Sequence, residues 1–397
     1  MSQLNQRLKG RPSWKWWACF FGFAGICIRL VLAWNSRGTN DIITWEYFAQ
    51  AASQHGVPWM YRNIDGWNHP PLTGYLAAVL WHISQWLSLP FRFTFKLVPI
   101  AADAGSMFLL WKIWSRRFSP KAGSLAVLLF ASNLNAVLVS AYHGNNDSLV
   151  GALILLACYL GQDVGTLFGS GLALAAAINV KLIPLILVPI LFAHARRPSE
   201  CLRTASGFFL GMLPFIPVLW MAGSSFYSNA IAYNSTFDNW GFPFFIRLTE
   251  QNPHWQTLAV QVQGSFVHFG RYFILAAIIA VCAWSRLKSH FSLYTLGAVG
   301  IALFLFLTPG FGVQYTAILN PVLFAVSLRW GVCYGLASGT FLASVYYLFW
   351  TREPLLHSQF TAVFPMPSPW IGLIAWMILL GFIITTLRTS EKESLQK

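Results

Sequence analysis

Apolar runs of about the length that crosses a bilayer recur along the whole chain, separated by short polar intervals. The first covers about Trp14 to Trp34. Others follow at Phe93–Ile113, Ala122–Tyr142, Leu149–Leu160, Leu202–Met221, Ser265–Trp284, Phe291–Leu307, Tyr315–Leu328, Val332–Trp350 and Trp370–Leu387. The runs are continuous rather than alternating, which excludes a β-barrel. The stretch Gly165 to Ala195 is longer than one span needs, with AINVKLIP in its middle and HARR at its end. One tilted helix would leave His194, Arg196, Arg197 and Arg203 outside. Two short helices turning near Asn179–Pro184 return them inside and lift Lys181 towards the outer leaflet, and this hairpin is the better reading. The pattern is that of an all-α polytopic integral membrane protein with about twelve spans and both ends inside.

One apolar run poses a choice. If Leu72–Leu89 crosses the membrane, the following loop KIWSRRFSPK, with Lys112, Arg116, Arg117 and Lys121, lies outside. If it lies along the interface, that loop is cytoplasmic. Each misplaced basic residue costs roughly 1 kcal/mol or more, which favours the second arrangement. The run is also interrupted by His82, Ser84 and Gln85 and carries Trp81 and Trp86, as interfacial helices do. A non-spanning juxtamembrane helix is expected.

Composition agrees. Charged residues make up 10% of the chain and hydrophobic ones 56%, against about 25% charge in a soluble domain. The net charge of +14 would suggest nucleic acid in a soluble protein. Here most of the excess lies in short basic loops, as positive-inside orientation requires, so no nucleic-acid partner is expected. Arg7, Lys9, Arg11 and Lys15 precede the first run, which lacks a small-residue cleavage site and reads as a retained helix. Arg29, within that run, either snorkels or faces a polar cavity. The six cysteines show no metal-ligand spacing, and no disulfide framework is expected.

The longest polar interval of the N-terminal half, Thr39 to Tyr75, holds Asp41, Glu46 and Asp65, three of only twelve acidic residues. Three outer segments carry nearly all the rare polar groups at membrane level: Asn40–Asp41 with His69, His143–Asp147, and Gln314–Tyr315. Lys181 and Asp238 join them as cavity-side candidates, the latter in a long loop that also holds Trp240. Asp41 is either a cap for a helix starting near Ile42 or a general base accepting a hydroxyl proton. Asn146 or Asp147 could cap the span that follows. Alternatively, Asp147 could orient an acceptor or the base. Two carboxylates could hold a divalent cation, but alone they are a weak metal signal. Lys181 is either a snorkelling lysine or a point charge for a phosphate leaving group. His69 precedes Pro70–Pro71, which fix an extended lead into the Leu72 helix, and is more often a turn residue than a catalyst. Gln314 and Tyr315 follow PGFG, a turn whose glycines let backbone amides face an anion.

At these residues the chain resembles the GT-C superfamily of membrane glycosyltransferases, in particular those that extend the lipid-linked N-glycan precursor and their bacterial relatives. The resemblance rests on Asn40–Asp41 shortly after the first helix, on HPPLTGY from His69 to Tyr75, and on KLVPIAADAGSMFLLWKIW. It rests also on AYHGNNDSLVGAL, NVKLIPLILVP and PGFGVQYTAILNP. It covers roughly residues 14 to 195 well and the remainder loosely. Gly74 stands where Ala is common, and Asn145 where Gln is usual. The latter change is expected to alter acceptor contacts without touching the base. The resemblance implies a GT-C-like bundle with outer-face juxtamembrane helices and Asp41 as catalytic base. It places Lys181, Gln314 and Tyr315 near a donor phosphate.

The expected organisation is a catalytic module over residues 1–195, with outer loops 35–92 and 143–148. A variable module over 196–397 follows, with outer loops 222–263, 308–314 and 351–369. The expected function is an inverting transfer of a hexose from a polyprenyl-phosphate donor to a hydroxyl acceptor (a glycolipid or glycan). Asp41 and Asp147 would carry the catalysis, and Lys181, His69, His143, Asn146, Gln314 and Tyr315 would hold donor or substrate. No cofactor is required by this chemistry, a divalent metal being an option rather than a need. A bacterial inner membrane with the site on its outer face is the expected location. A multispan lipid or sugar transporter is the alternative. Transporters typically show paired repeats, and no such pairing is visible here.

Overall fold

The structure is a computed structural model that describes residues 14–233, 240–250, 252–289, 291–346 and 366–395. The described residues form helices and connecting turns, with no strand among them. In chain order the α-helices are α1 (Trp14–Asn35), α2 (Asn40–His55), α3 (Val57–Asn63), α4 (Pro71–Leu87), α5 (Phe91–Arg117) and α6 (Pro120–Ala131). Then come α7 (Leu134–Val137), α8 (Asp147–Tyr159), α9 (Leu167–Val180), α10 (Val188–His194), α11 (Pro198–Gly211) and α12 (Phe215–Phe226). The last are α13 (Phe242–Glu250), α14 (Gln256–Trp284), α15 (Leu293–Leu307), α16 (Thr316–Val326), α17 (Leu328–Val345) and α18 (Ser368–Leu395).

The twelve expected apolar segments are helical over most of their described parts. Among the described residues, five helices are long and apolar enough for a full crossing: Trp14–Asn35, Phe91–Arg117, Asp147–Val164, Gln256–Leu287 and Ser368–Arg388. Two bent pairs, 120–143 with a 51° bend and 198–231 with a 69° bend, raise this to seven. Leu167–Val180, Ile183–His194, Leu293–Leu307 and Val313–Val326 are apolar but shorter.

Three expectations change. The long loop 222–263 is in fact largely helical: α12 runs on as a π turn to Ile231, α13 follows, and α14 begins at Gln256 rather than Ser265. A helix can extend past the apolar window that marks its span, because its backbone bonds are internal and water solvates its polar outer turns. The polar tail RTSEKESLQK reads in the sequence as a frayed cytoplasmic end, yet α18 continues to Leu395. Lastly, Arg29 neither snorkels nor faces open water. It is fully buried, with Nε 2.8 Å from Oδ2 of Asp103 and Nη1 donating to the Ala131 carbonyl. Asp238, Arg7, Lys9, Arg11 and most of loop 351–369 lie outside the described residues.

Contacts settle both choices raised by the apolar pattern. Thr73, at the start of α4, donates to the Val180 carbonyl beside Lys181. The other end of α4 leads within a few residues to Phe91, whose helix carries Phe95 stacked on Trp45 at 5.2 Å. Both ends of α4 therefore lie at the end of the bundle that carries Asp41, and α4 does not cross. The KIWSRRFSPK loop lies at the opposite end, where Arg116 donates to the Asp163 carbonyl and Arg117 covers the Tyr294 ring. The hairpin also holds. Lys181 reaches Asp147 at one end, while His194 shares a cavity with Arg286, Phe291 and Leu296 at the other.

A buried amide and hydroxyl network joins the two halves of the chain. Asn135 donates to Thr316 Oγ1 at 2.7 Å and Ser338 Oγ at 2.9 Å, and receives a bond from Asn320 at 2.7 Å. These buried polar groups fell within apolar runs and were not expected. In a medium without water they must pair with one another, which fixes how α7, α16 and α17 pack.

Candidate active site

Two strands of irregular backbone meet beneath Asp41. After α1 the chain runs without helix from Ser36 to Thr39, bonded to the turn that follows α7. Ser36 Oγ donates to the Ala141 carbonyl at 3.3 Å, and Thr39 donates to the His143 carbonyl through N and Oγ1. Gly38 has φ +98°, and a Cβ there would sit 3.1 Å from the Tyr142 carbonyl oxygen, so only glycine allows this approach. Leu138–His143 winds as a π turn, which places one more residue in the turn and ends on left-handed Gly144. Lys96, fully buried, ties the junction by donating to both the carbonyl and hydroxyl oxygens of Ser36.

Asp41 then falls in the first turn of α2, and its carboxylate caps nothing. The N-cap is Thr39, and no side-chain cap bond is made. Both hydrogen bonds to the carboxylate converge on Oδ2: one from His143 Nε2 at 2.8 Å, one from Asn145 Nδ2 at 2.7 Å. Oδ1 accepts none from the described residues, and the group is about a third exposed. Burial pushes this carboxyl up. The His143 charge, the two hydrogen bonds and the charge of Lys181 outweigh that push and bring it down to about 2. Asn145 therefore touches Asp41 directly, contrary to the expectation that it would serve only acceptor contacts.

A second cluster lies beside the first. Asp147, fully buried, does not cap α8 but receives Lys181 Nζ on Oδ1 at 2.6 Å. The ammonium lies 3.9 Å from the centre of the Tyr315 ring. Oδ2 of Asp147 and both amide atoms of the buried Asn146 have no hydrogen-bond partner among the described residues. Gln314 stands beside Gly312, where a Cβ would meet its amide at 2.9 Å, and its side chain makes no hydrogen bond among the described residues. His69 packs against Trp45 at 4.5 Å and Trp67 at 5.4 Å, and Tyr61 donates to its carbonyl. Burial first, then the charge of Lys181, pushes the His69 ring down to about 3, with Asp41 opposing. The structure thus gathers the expected residues from three outer segments into adjoining positions, with Gln314 the least engaged. No group of three or more His, Cys, Asp or Glu side chains able to hold a metal occurs among the described residues.

Two contributors were not picked out from the sequence. Lys96 left a signal, being a lysine inside an apolar run. Tyr346, whose hydroxyl lies 2.6 Å from His143 Nδ1, sits in the run LASVYYLFW and left none.

Among curated protein sequences no relative matches this chain. A solved structure of ArnT from Cupriavidus metallidurans bound to undecaprenyl phosphate is similar to it, with 13% sequence identity and a TM-score of 0.48. The likeness covers 94% of this chain and 76% of that one. The family model of glycosyltransferase family 87 matches residues 67–309, more than half of the chain. That span holds the HPPLTGY, HGNND and NVKLIP motifs on which the reading as a membrane glycosyltransferase rests, and it begins after Asp41. The chain belongs to glycosyltransferase family 87.

Proposed function

We propose that this protein moves a hexose, with inversion, from a polyprenyl-phosphate donor to a hydroxyl of a glycolipid or glycan acceptor. The observation that carries the reading is the state of Asp41. Its carboxyl is held well below the usual range and gripped on one oxygen by His143 and Asn145, while its other oxygen accepts nothing from the described residues. Asp41 takes the acceptor's proton as that oxygen attacks the anomeric carbon from the face opposite the phosphate. Lys181, with Tyr315 and His69 near it, stabilises the departing polyprenyl phosphate, Gln314 being a further candidate for that contact. The leaving group is a good one, so the transfer needs no metal.

A base near 2 is ready but weak, and donor binding shifts it in the useful direction. Lys181 is one of the charges that hold Asp41 low. An anionic phosphate on Lys181 neutralises that influence and raises the basicity of Asp41 at the moment it is required. Residues 1–195 form the catalytic module in this reading, completed by Tyr315 and Tyr346 from 196–397. The site opens to the outer face of the membrane, in a bacterial inner membrane, because the basic KIWSRRFSPK and HARR segments lie at the other end of the bundle.

The test is release of free polyprenyl phosphate from polyprenyl-phosphate glucose and mannose by purified protein with a glycolipid acceptor. Asp41→Asn should lower turnover by about 10²–10⁴-fold and leave donor binding and folding intact. Turnover retained in that variant removes Asp41 from the role. A transporter would release no polyprenyl phosphate at all.

A further inference from the structure

The hydrogen bonds to Asp41 do not stop at His143. A carboxylate oxygen can only accept, so the short contact to Asp41 Oδ2 requires a proton on Nε2 of His143. In a neutral imidazole the other nitrogen is then bare and must itself accept. The group facing it is the Tyr346 hydroxyl, 2.6 Å from Nδ1 and buried with its ring 5.5 Å from both Tyr142 and His143. Without that donor the ring could carry its proton on Nδ1, and the Nε2 lone pair would then oppose the carboxylate lone pairs at 2.8 Å.

We propose that Tyr346 is a positioning residue for the transfer: it holds the His143 proton on Nε2, so that Asp41 is gripped on Oδ2 and presents Oδ1 to the acceptor. This rests on the reading of Asp41 as the base. Tyr346 itself touches no reacting atom. It lies 203 positions from His143, in a stretch that none of the motifs covers. The charged and titratable groups facing this chain are Asp41 on α2, Asp147 on α8, Tyr142 in the π turn and Lys181 after α9.

Two measurements test it. Nitrogen-15 NMR of ring-labelled histidine, assigned by comparison with His143→Gln, should show His143 neutral and protonated on Nε2 at neutral pH. Tyr346→Phe should bring in the Nδ1-protonated form. A proton on Nδ1 in the unmodified protein, a doubly protonated ring, or a tautomer unmoved by Tyr346→Phe overturns the proposal. The unmodified spectrum decides even if the variant does not fold.

The second measurement uses turnover of polyprenyl-phosphate glucose or mannose. Tyr346→Phe should lower kcat about tenfold with donor KM unchanged. In a His143→Gln background, Tyr346→Phe should cost nothing further, since tyrosine acts only through histidine. Equal losses in both backgrounds would show a packing role and overturn the proposal. If no sugar is turned over, the glycosyltransfer reading fails, while the NMR result still decides whether Tyr346 sets the tautomer.

Discussion

The ammonium of Lys181 lies 2.6 Å from a carboxylate oxygen of Asp147, a residue with no solvent exposure. A buried acid paired in this way depends on its partner, because the same carboxylate left alone would be an uncompensated charge in an apolar surrounding. The pair can therefore be structural, functional or both, and substitution separates these roles.

Lys181→Met alone should lower thermal stability by about 3–5 kcal/mol, since it strands Asp147. Lys181→Met combined with Asp147→Leu should recover most of that loss, because the buried charge is gone. Transfer should remain absent in both variants, as the donor phosphate has lost its cation. Thermal melts and phosphate release on the same samples check this. Recovered transfer in the double variant would confine Lys181 to a structural role.

The Arg29–Asp103 pair makes no bond to Asp41, Lys181 or Asp147 among the described residues. Asp103→Ala should destabilise the protein by about 3–5 kcal/mol and leave the donor KM unchanged in whatever fraction stays folded. The double change Arg29→Met with Asp103→Leu should be much milder. Melting curves in detergent decide the matter.

Gly144 has φ +74°, and a Cβ there would meet Lys96 Cε at 3.1 Å and Ile42 Cδ1 at 3.2 Å. Gly144→Ala should cost about 1–2 kcal/mol through left-handed strain alone. It should lower kcat by more than that loss implies, because Gly144 sits between the two residues that grip Asp41. A fall in stability with full kcat would mean that the turn tolerates movement without disturbing Asp41.

His69 ties stability to pH. Its ring is pushed from the ordinary 6.5 down to about 3, so the folded protein holds it neutral where the unfolded chain would protonate it. That contribution is fully present above pH 6.5 and is lost progressively as pH falls towards about 3. His69→Gln should flatten the melting temperature over this window. An unchanged acid slope would remove His69 as its source.

Much of the architecture was legible because it follows from local sums along the chain. Hydrophobic runs set where helices form, and the basic residues of KIWSRRFSPK favoured a Leu72 helix whose two ends lie at one end of the bundle, as those of α4 do. The acid-poor composition made Asp41, Asp147 and Lys181 conspicuous, and all three sit in the site. The least legible part was the second half, where polar Gln256–Gln263 reads as loop yet continues a helix.

The sequence by itself determined a multispan helical protein, its juxtamembrane helix, the turn at Lys181 and the short list of ionisable groups that could act. Each of these depends on neighbours in the chain: apolar run length, basic loop charge, a proline or a glycine. Only the tertiary structure decided which of those groups meet. Asp41 and His143 are 102 positions apart, Asp41 and Asn145 104, and His143 and Tyr346 203. Such pairings carry no local periodicity. They arise where a π turn, a left-handed glycine and a non-helical Ser36–Thr39 segment bring two irregular backbones together. That geometry is fixed by helix packing, which turned Asp41 from a possible helix cap into a carboxylate held on one oxygen and open on the other.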